Sequence, residues 1–419
     1  MQIVQYRRDV VEILLHRLAE VPRFLIFIAG PRQVGKTTLV RDALSHYDPK
    51  FYRFLAVDKA DVSSAFDLTV TGELTYEQDA SPRDAAWLVR EWRRARAAAE
   101  QSAGQYILVL DEIQKLPNWS ETVKGLWDED RAKGLNLHVV LLGSSPLLMQ
   151  EGMTESLAGR FELIRVTHWS FPEVMAAFNF DLDDYIYFGG YPGSAPYIRD
   201  EPRWRNYVRE SLIKPSIDKD ILMMTRVDKP ALLRQLFDLS CSYSGQSLAF
   251  NKMLGQLQDA GNTVTLAHYL GLLGGAGLVL GMQKYAGQEV RKRASVPKLN
   301  VLNTALISAG SGYTQAEAKA DRSHWGHMVE SAVGAHLHNT GHPNCKIYYW
   351  QDGSHEVDFV IECGHRLALI EVKSGKSKGY ARGFDQFDVA FKGKYPRILV
   401  GEGGIPLAEF LSYPAEHWL

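Results

Sequence analysis

Cysteine and net charge are scarce in this sequence, and each shortage excludes a class of protein. Only three of the 419 residues are cysteines, namely Cys241, Cys345 and Cys363, and they lie far apart in the chain. So small and odd a number argues against a disulfide framework and against a cysteine-rich zinc site. The formal net charge of -2 gives no general attraction to nucleic acid, so such binding would need a local basic patch.

The sequence also lacks a segment suited to a membrane. Residues Met1 to Arg8 contain no apolar core of a signal peptide. The longest weakly polar run, Leu270 to Met282, is too short and too rich in glycine to span a bilayer. We therefore expect a cytoplasmic protein without a membrane partner. Its length and its 46% hydrophobic content predict two or three globular domains.

A glycine-rich loop is the most informative feature that is present. The apolar run from Phe24 to Ile28 predicts a buried strand, and a short amphipathic helix follows over 38–44. Between them lies the G-x-x-x-x-G-K-[ST] spacing, whose backbone N–H groups and helix N-terminus favour phosphate. Lys36 would reach the β- and γ-phosphates of ATP, and the Thr37 hydroxyl would ligate Mg²⁺. The predicted nucleotide-binding residues of this loop are Gly30, Pro31, Arg32, Gln33, Val34, Gly35, Lys36, Thr37 and Thr38.

Two further apolar runs end in polar residues and predict neighbouring strands of a parallel α/β sheet. The run from Tyr106 ends in Asp111, which would hold Mg²⁺ through water, and Glu112, which would orient the attacking water. The run 138–143 is followed by Ser144, which would contact the γ-phosphate or the water. Since ligands of such sheets bind at the carboxyl ends of the strands, these groups should meet there.

Two sets of basic residues have competing interpretations. Arg160 fits either a salt bridge or a finger that stabilises transition-state charge. The helix predicted over 83–100 carries Arg90, Arg93, Arg94 and Arg96. These arginines could touch phosphates, but a solvated helix face is favoured.

The middle of the chain predicts helices and a hairpin. Residues 170–239 form mostly helices, a predicted lid over the nucleotide. Helices over 247–260 and 264–273, followed by a hairpin of 278–285 and 289–302, describe a winged helix. No Lys or Arg lies between Lys252 and Lys284, and the positive charge comes from the wing, with Lys284, Arg291, Lys292 and Arg293. DNA contact therefore competes with a protein-packing role, which is favoured.

The last hundred residues place three carboxylates and a lysine on adjoining predicted elements. Glu330 lies on a helix over 325–338, Asp358 on a strand over 355–361, and Glu371 with Lys373 on one face of a strand over 367–373. If the strands pair, the carboxylates would hold Mg²⁺ or Mn²⁺, and Lys373 would polarise a water or stabilise negative charge. The alternative is a degenerate fold or a charged structural cluster.

Several motifs together resemble one family, the prokaryotic AAA-type ATPases with a C-terminal DUF4143 region. They are Gly30-Pro-Arg-Gln-Val-Gly-Lys-Thr37, Leu110-Asp-Glu-Ile-Gln114, Leu142-Gly-Ser-Ser145, Glu155-Ser-Leu-Ala-Gly-Arg160, Phe188-Gly-Gly-Tyr-Pro192 and Ile213-Lys-Pro-Ser-Ile-Asp-Lys-Asp-Ile221. The resemblance implies an AAA-like ATPase core and a winged-helix segment. It also implies a tail similar to the PD-(D/E)xK nucleases, a mixed α/β fold. We place the ATPase core at 1–169, the helical lid and winged helix at 170–303, to which we give the name DUF4143, and the nuclease-like tail at 304–419.

The expected function follows from both lines of argument. We expect an Mg²⁺-dependent ATPase that drives or gates a nucleic-acid-associated, nuclease-like tail, with DNA contacts through the wing and the tail. Arg160 acting across a subunit interface would make the active form a homo-oligomer. The competing hypothesis is a nucleotide-dependent switch whose tail does not cleave.

Overall fold

The structure is a computed structural model, and it describes most of the chain. The described residues are 6–57, 83–102, 104–143, 156–222, 227–258, 261–287, 296–373, 375 and 382–419. They form two compact units, Arg7–Val166 and Thr167–Leu419, the second of which also includes Tyr6. We call these the amino-terminal unit and the carboxyl-terminal unit.

The amino-terminal unit alternates helices and strands. Its elements are α1 (Val10–Ala19), β1 (Leu25–Ala29), α2 (Lys36–Leu44), β2 (Tyr52–Ala56), α3 (Ala85–Gln101), β3 (Tyr106–Asp111), α4 (Trp119–Lys133), β4 (Leu137–Gly143) and β5 (Phe161–Arg165), with 3₁₀ turns at Pro49–Phe51 and Ile113–Lys115. The strands form one parallel sheet in the order β2-β3-β4-β1-β5. The predicted parallel α/β core is therefore confirmed.

Both faces of this sheet are covered because successive strand residues point to opposite sides. Ile26 and Ile28 of β1 pack with α1 and α2 on one face. Phe27 packs on the other face with tryptophans of α3 and α4, such as Trp92 and Trp127. Each fully buried side chain of this size contributes about 1.5–3 kcal/mol. This three-layer core fixes the carboxyl edge of the sheet, where β1 and β3 end.

Arg96 corrects one expectation for α3. It does not lie on a solvated face: it is only 7% exposed and pairs with the fully buried Asp130 of α4. Its guanidinium also donates to the Leu126 carbonyl at 2.7 Å, and Trp92 Nε1 donates to Asp130 at 2.7 Å. Burial raises the pKa of Asp130, while these two donors act against that rise. Arg96 therefore binds α3 to α4 and is not available to phosphate.

The carboxyl-terminal unit contains helices and two small sheets. Its first elements are α5 (Phe171–Phe178), α6 (Leu182–Phe188), a 3₁₀ turn (Ala195–Tyr197), α7 (Glu201–Tyr207), two π-helical segments (Val208–Ile213 and Ser216–Ile221), α8 (Pro230–Ser242), β6 (Gln246–Ser247), α9 (Phe250–Gln256), α10 (Thr263–Gly275), β7 (Val279–Met282) and β8 (Lys298–Val301). The rest are α11 (Ala305–Ser311), α12 (Gln315–Ala320), α13 (Arg322–Thr340), β9 (Cys345–Asp352), β10 (His355–Cys363), β11 (Arg366–Lys373), α14 (Arg382–Ala390), β12 (Arg397–Gly401), α15 (Leu407–Phe410) and a 3₁₀ turn (Ala415–Trp418).

The smaller sheet has the order β6-β8-β7, with β8 antiparallel to both neighbours. The Asn262 side chain caps α10 by accepting from Thr265 N at 2.9 Å. The succession α8, β6, α9, α10, β7, β8 is compatible with a winged helix, and that assignment stays a prediction. Of the basic wing residues, Arg291, Lys292 and Arg293 lie outside the described residues.

The larger sheet is mixed and has the order β12-β11-β10-β9. β10 is antiparallel to β9 and β11, whereas β12 runs parallel to β11. The predicted pairing of the two carboxylate-bearing strands is thus confirmed. Helix α13 packs closely at Gly334, where a Cβ atom would lie 2.4 Å from Asn300 Oδ1 and 2.8 Å from a ring carbon of Phe359.

The cysteines depart from the sequence expectation. Cys345 and Cys363 stand directly opposite each other on β9 and β10 and form a disulfide, while Cys241 is buried and free. Their separation of 18 residues in the chain gave no sign of this pairing. Among the described residues, no helix combines the length and hydropathy needed to cross a membrane.

Candidate functional site

The loop between β1 and α2 has the conformation that its glycines allow. Gly35 adopts φ 94°, in the left-handed region, directly before α2 begins at Lys36. Gly30 lies against the end of the sheet, where a Cβ atom would come 1.8 Å from the carbonyl oxygen of Val166. Val34 is fully buried in the core beneath the loop. The loop is therefore held rigidly between the sheet and the helix N-terminus.

Lys36 points into this loop. Only 7% of the residue is exposed, and its ammonium group donates to the carbonyl oxygens of Gly30 at 2.9 Å and Pro31 at 2.7 Å. The ammonium thus lies over the loop at the start of α2, where positive potential favours an anion. The other predicted loop residues lie around it: Arg32 is half-buried, while Gln33 and Thr38 are exposed.

Thr37 and Asp111 come together from two different strand–loop segments. The Thr37 hydroxyl donates to Asp111 Oδ2 at 2.9 Å. Asp111 is the last residue of β3 and only 9% exposed. A hydroxyl and a carboxylate oxygen are ligands that Mg²⁺ prefers, and Lys36 supplies the charge that phosphate needs. This donor set fits a magnesium nucleotide.

Glu112 follows Asp111 in a strained backbone conformation. Its φ of 60° and ψ of 39° are in the left-handed region, which is uncommon for a residue with a side chain. Its carboxylate accepts a hydrogen bond from Gln114 Nε2 at 2.8 Å. Strain of this kind costs of order 1–3 kcal/mol and persists at sites where geometry matters for function.

Ser144 and Arg160 are the two remaining predicted site residues of this unit, and the structure describes only Arg160. Ser144 lies outside the described residues; β4, the strand before it, lies between β1 and β3 and ends at Gly143 beside Ala29. Arg160 immediately precedes β5, and its carbonyl oxygen accepts from Leu25 N, at the start of β1. Arg160 is therefore at the amino edge of the sheet, whereas the glycine loop follows the carboxyl end of β1.

Arg160 is held at that edge by an ion pair. Its Nε donates to Asp128 Oδ1 at 2.7 Å, and a second guanidinium nitrogen donates to Asp128 Oδ2 at 3.0 Å. This bond lowers the pKa of the Asp128 carboxyl. Five residues of strand, about 16 Å at roughly 3.3 Å per residue, separate the two edges of the sheet. Arg160 is thus remote from the glycine loop of its own chain.

The tail carboxylates meet on the larger sheet, as predicted. Phe359 of β10 pairs with Ile370 of β11, which sets Asp358 opposite Glu371. Asp358 Oδ2 accepts from Val372 N at 2.8 Å, and Lys373 forms an ion pair with Glu371. One oxygen of Glu371, Oε2, is buried and accepts no hydrogen bond from the residues that the structure describes.

A lysine that the sequence analysis missed lies among these carboxylates. Lys298 of β8 is fully buried, and its Nζ is 2.5 Å from Glu330 Oε1, 3.3 Å from Glu356 Oε1 and 3.7 Å from Asp358 Oδ1. The signal was present in the strand Lys298–Val301, where Lys298 and Asn300 alternate with apolar residues although all four are buried. Polar residues on a buried strand face need partners inside the protein.

Burial and the charges of neighbouring groups shift the pKa values of Glu330, Glu371 and Lys298. Burial raises the pKa of Glu330 to about 7 against the pull of Lys298, and the nearby Asp358 adds to the rise. Burial also raises the pKa of Glu371 to about 7, again with Asp358 adding to it. For Lys298, burial lowers the pKa, but Glu330, Asp358 and Glu356 outweigh it and the net shift is upward.

Metal binding by the tail stays a prediction. Within the part of the chain that the structure describes, no group of three or more histidine, cysteine, aspartate or glutamate side chains has the arrangement of a metal site. Glu330 faces the ammonium of Lys298, and Glu371 faces that of Lys373. Two lysines, Lys298 and Lys373, therefore pair with the tail carboxylates, whereas the sequence analysis named only Lys373.

A separate cavity of about 720 Å³ lies within the carboxyl-terminal unit. The π-helical segments, α8, α11 and α13 line it, with Arg209, Asp238, Cys241 and His327 among its walls. Burial raises the pKa of the Cys241 thiol well above its ordinary value. Part of its lining, namely Ile213, Lys214, Ile217 and Asp218, belongs to the motif Ile213–Ile221 quoted in the sequence analysis.

Family comparisons divide the chain into three matched regions. Residues 22–175 match the AAA domain. Residues 179–317 match a domain of unknown function, DUF8612, and residues 325–406 match another, DUF4143. The DUF4143 match thus covers the larger sheet, whereas the middle region, to which the sequence analysis extended that name, matches a different domain.

Individual relatives are distant. Two curated proteins, both described as uncharacterized, come from Mycobacterium bovis and Mycobacterium tuberculosis. Each is 24% identical over 420 residues, which cover 99% of this chain and 84% of the relative.

Among solved structures, the Aeropyrum pernix ORC1 protein in complex with DNA has 12% identity and a TM-score of 0.29, covering 74% of this chain and 93% of that one. AMPPCP-bound DnaA from Aquifex aeolicus has 13% identity and a TM-score of 0.31, covering 64% and 86%. Similarity at that level supports no conclusion about this chain.

Proposed function

We propose that this chain, an AAA-type P-loop ATPase with a C-terminal DUF4143 region, hydrolyses ATP with Mg²⁺ at the loop formed by Gly30 to Thr38. The observation that carries the proposal is the 2.9 Å hydrogen bond from Thr37 to Asp111. It joins the end of the glycine loop to the end of β3, so a hydroxyl and a carboxylate face one magnesium position. Lys36, buried and directed into the loop, supplies the phosphate-facing charge beside it.

Each residue has a distinct role in the proposed reaction. Lys36 leaves the carbonyl oxygens of Gly30 and Pro31 and binds the β- and γ-phosphates. Thr37 and Asp111 would hold Mg²⁺, which neutralises phosphate charge when bound. Glu112 orients the attacking water and accepts its proton. Ser144 is proposed as a contact to the γ-phosphate.

Phosphate release by the purified chain tests this proposal. The wild type should release phosphate from ATP only when Mg²⁺ is present. Lys36→Ala should weaken ATP binding at least about tenfold, because a charge-assisted hydrogen bond is worth about 1.5–3 kcal/mol. Lys50→Ala is the matched control, since Lys50 is exposed in the same unit and pairs only locally with Asp48. Equal ATP affinity in the Lys36 and Lys50 variants would contradict the proposal.

The active form is proposed to be a homo-oligomer in which Arg160 serves the nucleotide of a neighbouring subunit. The support is its position: Arg160 is at the opposite edge of the sheet from its own glycine loop, so a role in its own site is unfavourable. Asp128 presets the guanidinium in a fixed orientation on that edge. A preset arginine stabilises transition-state charge with little reorganisation.

For the carboxyl-terminal unit we propose a nucleotide-gated role on DNA, through the wing and the tail. The element order of the middle region supports a winged helix. A second candidate is a switch whose tail does not cleave, and the pairing of the tail carboxylates with two lysines favours it. ATP turnover that rises on addition of duplex DNA would support the first. Turnover that DNA leaves unchanged would favour the second.

A further inference from the structure

We propose that Lys298 is a built-in cation that takes the place of a metal ion at Glu330, so that Glu330 is not a metal ligand of the tail. The inference does not depend on ATP hydrolysis, because every group involved belongs to the carboxyl-terminal unit. It concerns the chemistry of the tail: any divalent ion bound there must use Asp358 and Glu371 without the helix carboxylate.

The geometry gives Lys298 the position of a shared cation. Its Nζ lies 2.5 Å from Glu330 Oε1 of α13, and 3.3 and 3.7 Å from Glu356 and Asp358 of β10. The same nitrogen lies 3.4 Å from the carbonyl oxygen of Asp358. Since Lys298 is fully buried, water cannot replace these partners. A buried ammonium needs this degree of compensation, and the carboxylates need it equally.

The position of Lys298 is fixed by packing and not by the ion pairs alone. β8 pairs with β6 and β7, so the lysine enters the tail from the smaller sheet. Its Nζ lies over the ring of Phe359, 5.3 Å from the ring centroid. Lys298 therefore also ties the two sheets of this unit together.

A divalent ion cannot share Glu330 with this ammonium. Metal–oxygen distances of about 2.0–2.6 Å would bring the ion close to Nζ, and the two like charges would repel in a buried site. Removing the Lys298 ammonium would remove this repulsion. Four carboxylates, those of Glu330, Glu356, Asp358 and Glu371, would then face Lys373 alone, and the excess negative charge would attract a cation.

Titration of the full-length chain with Mn²⁺, followed by calorimetry, tests the proposal. Asp111→Asn is included in every protein to remove the contribution of the amino-terminal site. In this background, adding Glu330→Gln should change Mn²⁺ affinity less than about twofold. Lys298→Met, which keeps an unbranched side chain one atom shorter and removes its charge, should raise Mn²⁺ affinity at least tenfold. Combining Lys298→Met with Glu330→Gln should abolish that gain.

Melting temperatures keep the test decisive if Lys298→Met folds poorly. Lys298→Met leaves Glu330 uncompensated, so adding Glu330→Gln should raise the melting temperature, and Mn²⁺ should raise that of Lys298→Met alone. Three results would each overturn the proposal. They are a tenfold loss of Mn²⁺ affinity on Glu330→Gln alone, an unchanged or weaker affinity in Lys298→Met, and a double variant no more stable than Lys298→Met.

Discussion

At the scale of single residues, buried charged and polar groups bind the elements of each unit together. Arg96 joins α3 to α4 through Asp130, and Lys298 joins β8 to α13 and β10. His336 of α13 does the same for the carboxyl terminus, because its Nε2 donates to the Tyr413 carbonyl at 2.8 Å. Of these groups, His336 makes the fold sensitive to pH, because burial lowers the pKa of its imidazole.

His336 should make the carboxyl-terminal unit less stable in acid. Burial lowers the pKa of its imidazole to about 4, against an ordinary value near 6.5. Between about pH 4 and pH 6.5, the His336 imidazole is therefore protonated in the unfolded chain and neutral in the folded chain. The stabilisation is complete above pH 6.5 and is lost as the pH falls towards 4. At pH 5 the loss should be about 2 kcal/mol, from about 1.4 kcal/mol per pH unit.

Denaturant unfolding at pH 7.5 and pH 5.0 checks this prediction. His336→Gln retains a side-chain donor for the Tyr413 carbonyl but cannot be protonated, so its loss of stability between the two pH values should be smaller by about 2 kcal/mol. His365→Gln, at an exposed position, is the control. The same pH dependence in wild type and His336→Gln would show that His336 is not the responsible group.

What could be predicted at this scale depended on whether a residue belongs to a motif with a known spacing. Lys36, Thr37 and Asp111 do, and the structure brings Thr37 to Asp111 although the two lie 74 residues apart. Lys298 and Arg96 belong to no such motif, so Lys298 was missed and Arg96 was assigned to a solvated face, whereas each pairs with a buried or half-buried carboxylate. Arg96 lies four residues after Trp92 on the apolar stripe of α3, which was the available signal.

At the scale of elements, the helix α13 depends on close approach to the strands beneath it. Gly334, one turn after Glu330, has Asn300 and Phe359 within 3 Å of the position of a Cβ atom. The ends of β10 and β11 then bring Asp358 and Glu371 together. The disulfide between Cys345 and Cys363 was not predictable, since it depends on the β9–β10 register.

Replacing Gly334 by alanine should disrupt this packing. The added methyl group would displace Asn300 and Phe359, at a cost of about 1–3 kcal/mol in the free energy of unfolding. Gly271→Ala is the matched control, because Gly271 lies in α10 with nothing within 4 Å of the added atom. That substitution should stabilise the helix by up to about 1 kcal/mol. Denaturant unfolding of the two variants should therefore give changes of opposite sign, and equal changes would rule out the close approach.

At the scale of the whole molecule, the two edges of the parallel sheet carry different sets of predicted site residues. The carboxyl edge holds Lys36, Thr37 and Asp111, and the amino edge presents Arg160. Under the proposal made above, the arginine on this edge serves the nucleotide of a neighbouring copy of the chain. The sequence left open whether Arg160 acts within one chain or between chains, and its ion pair with Asp128 at the amino edge favours the second.

Mixing two inactive variants tests the assembly. Arg160→Ala should bind ATP normally and hydrolyse it about a thousandfold more slowly, as expected for a charge-stabilising arginine. Glu112→Gln should also bind without efficient hydrolysis. In mixed oligomers, some interfaces pair an intact Glu112 with an intact Arg160, so phosphate release should reappear. Lack of recovery in oligomers shown by native mass spectrometry to be mixed would exclude action between subunits.

The central claim, that the glycine loop and the end of β3 form a hydrolytic Mg²⁺–ATP site, is tested most directly by Glu112→Gln. The amide keeps the shape of the carboxylate at its strained position but loses the charge that orients and deprotonates water. ATP affinity and steady-state phosphate release should be measured on the same preparations of wild type and variant. We predict that affinity changes less than about threefold, while release falls at least about a hundredfold. Wild-type phosphate release from Glu112→Gln would contradict the account.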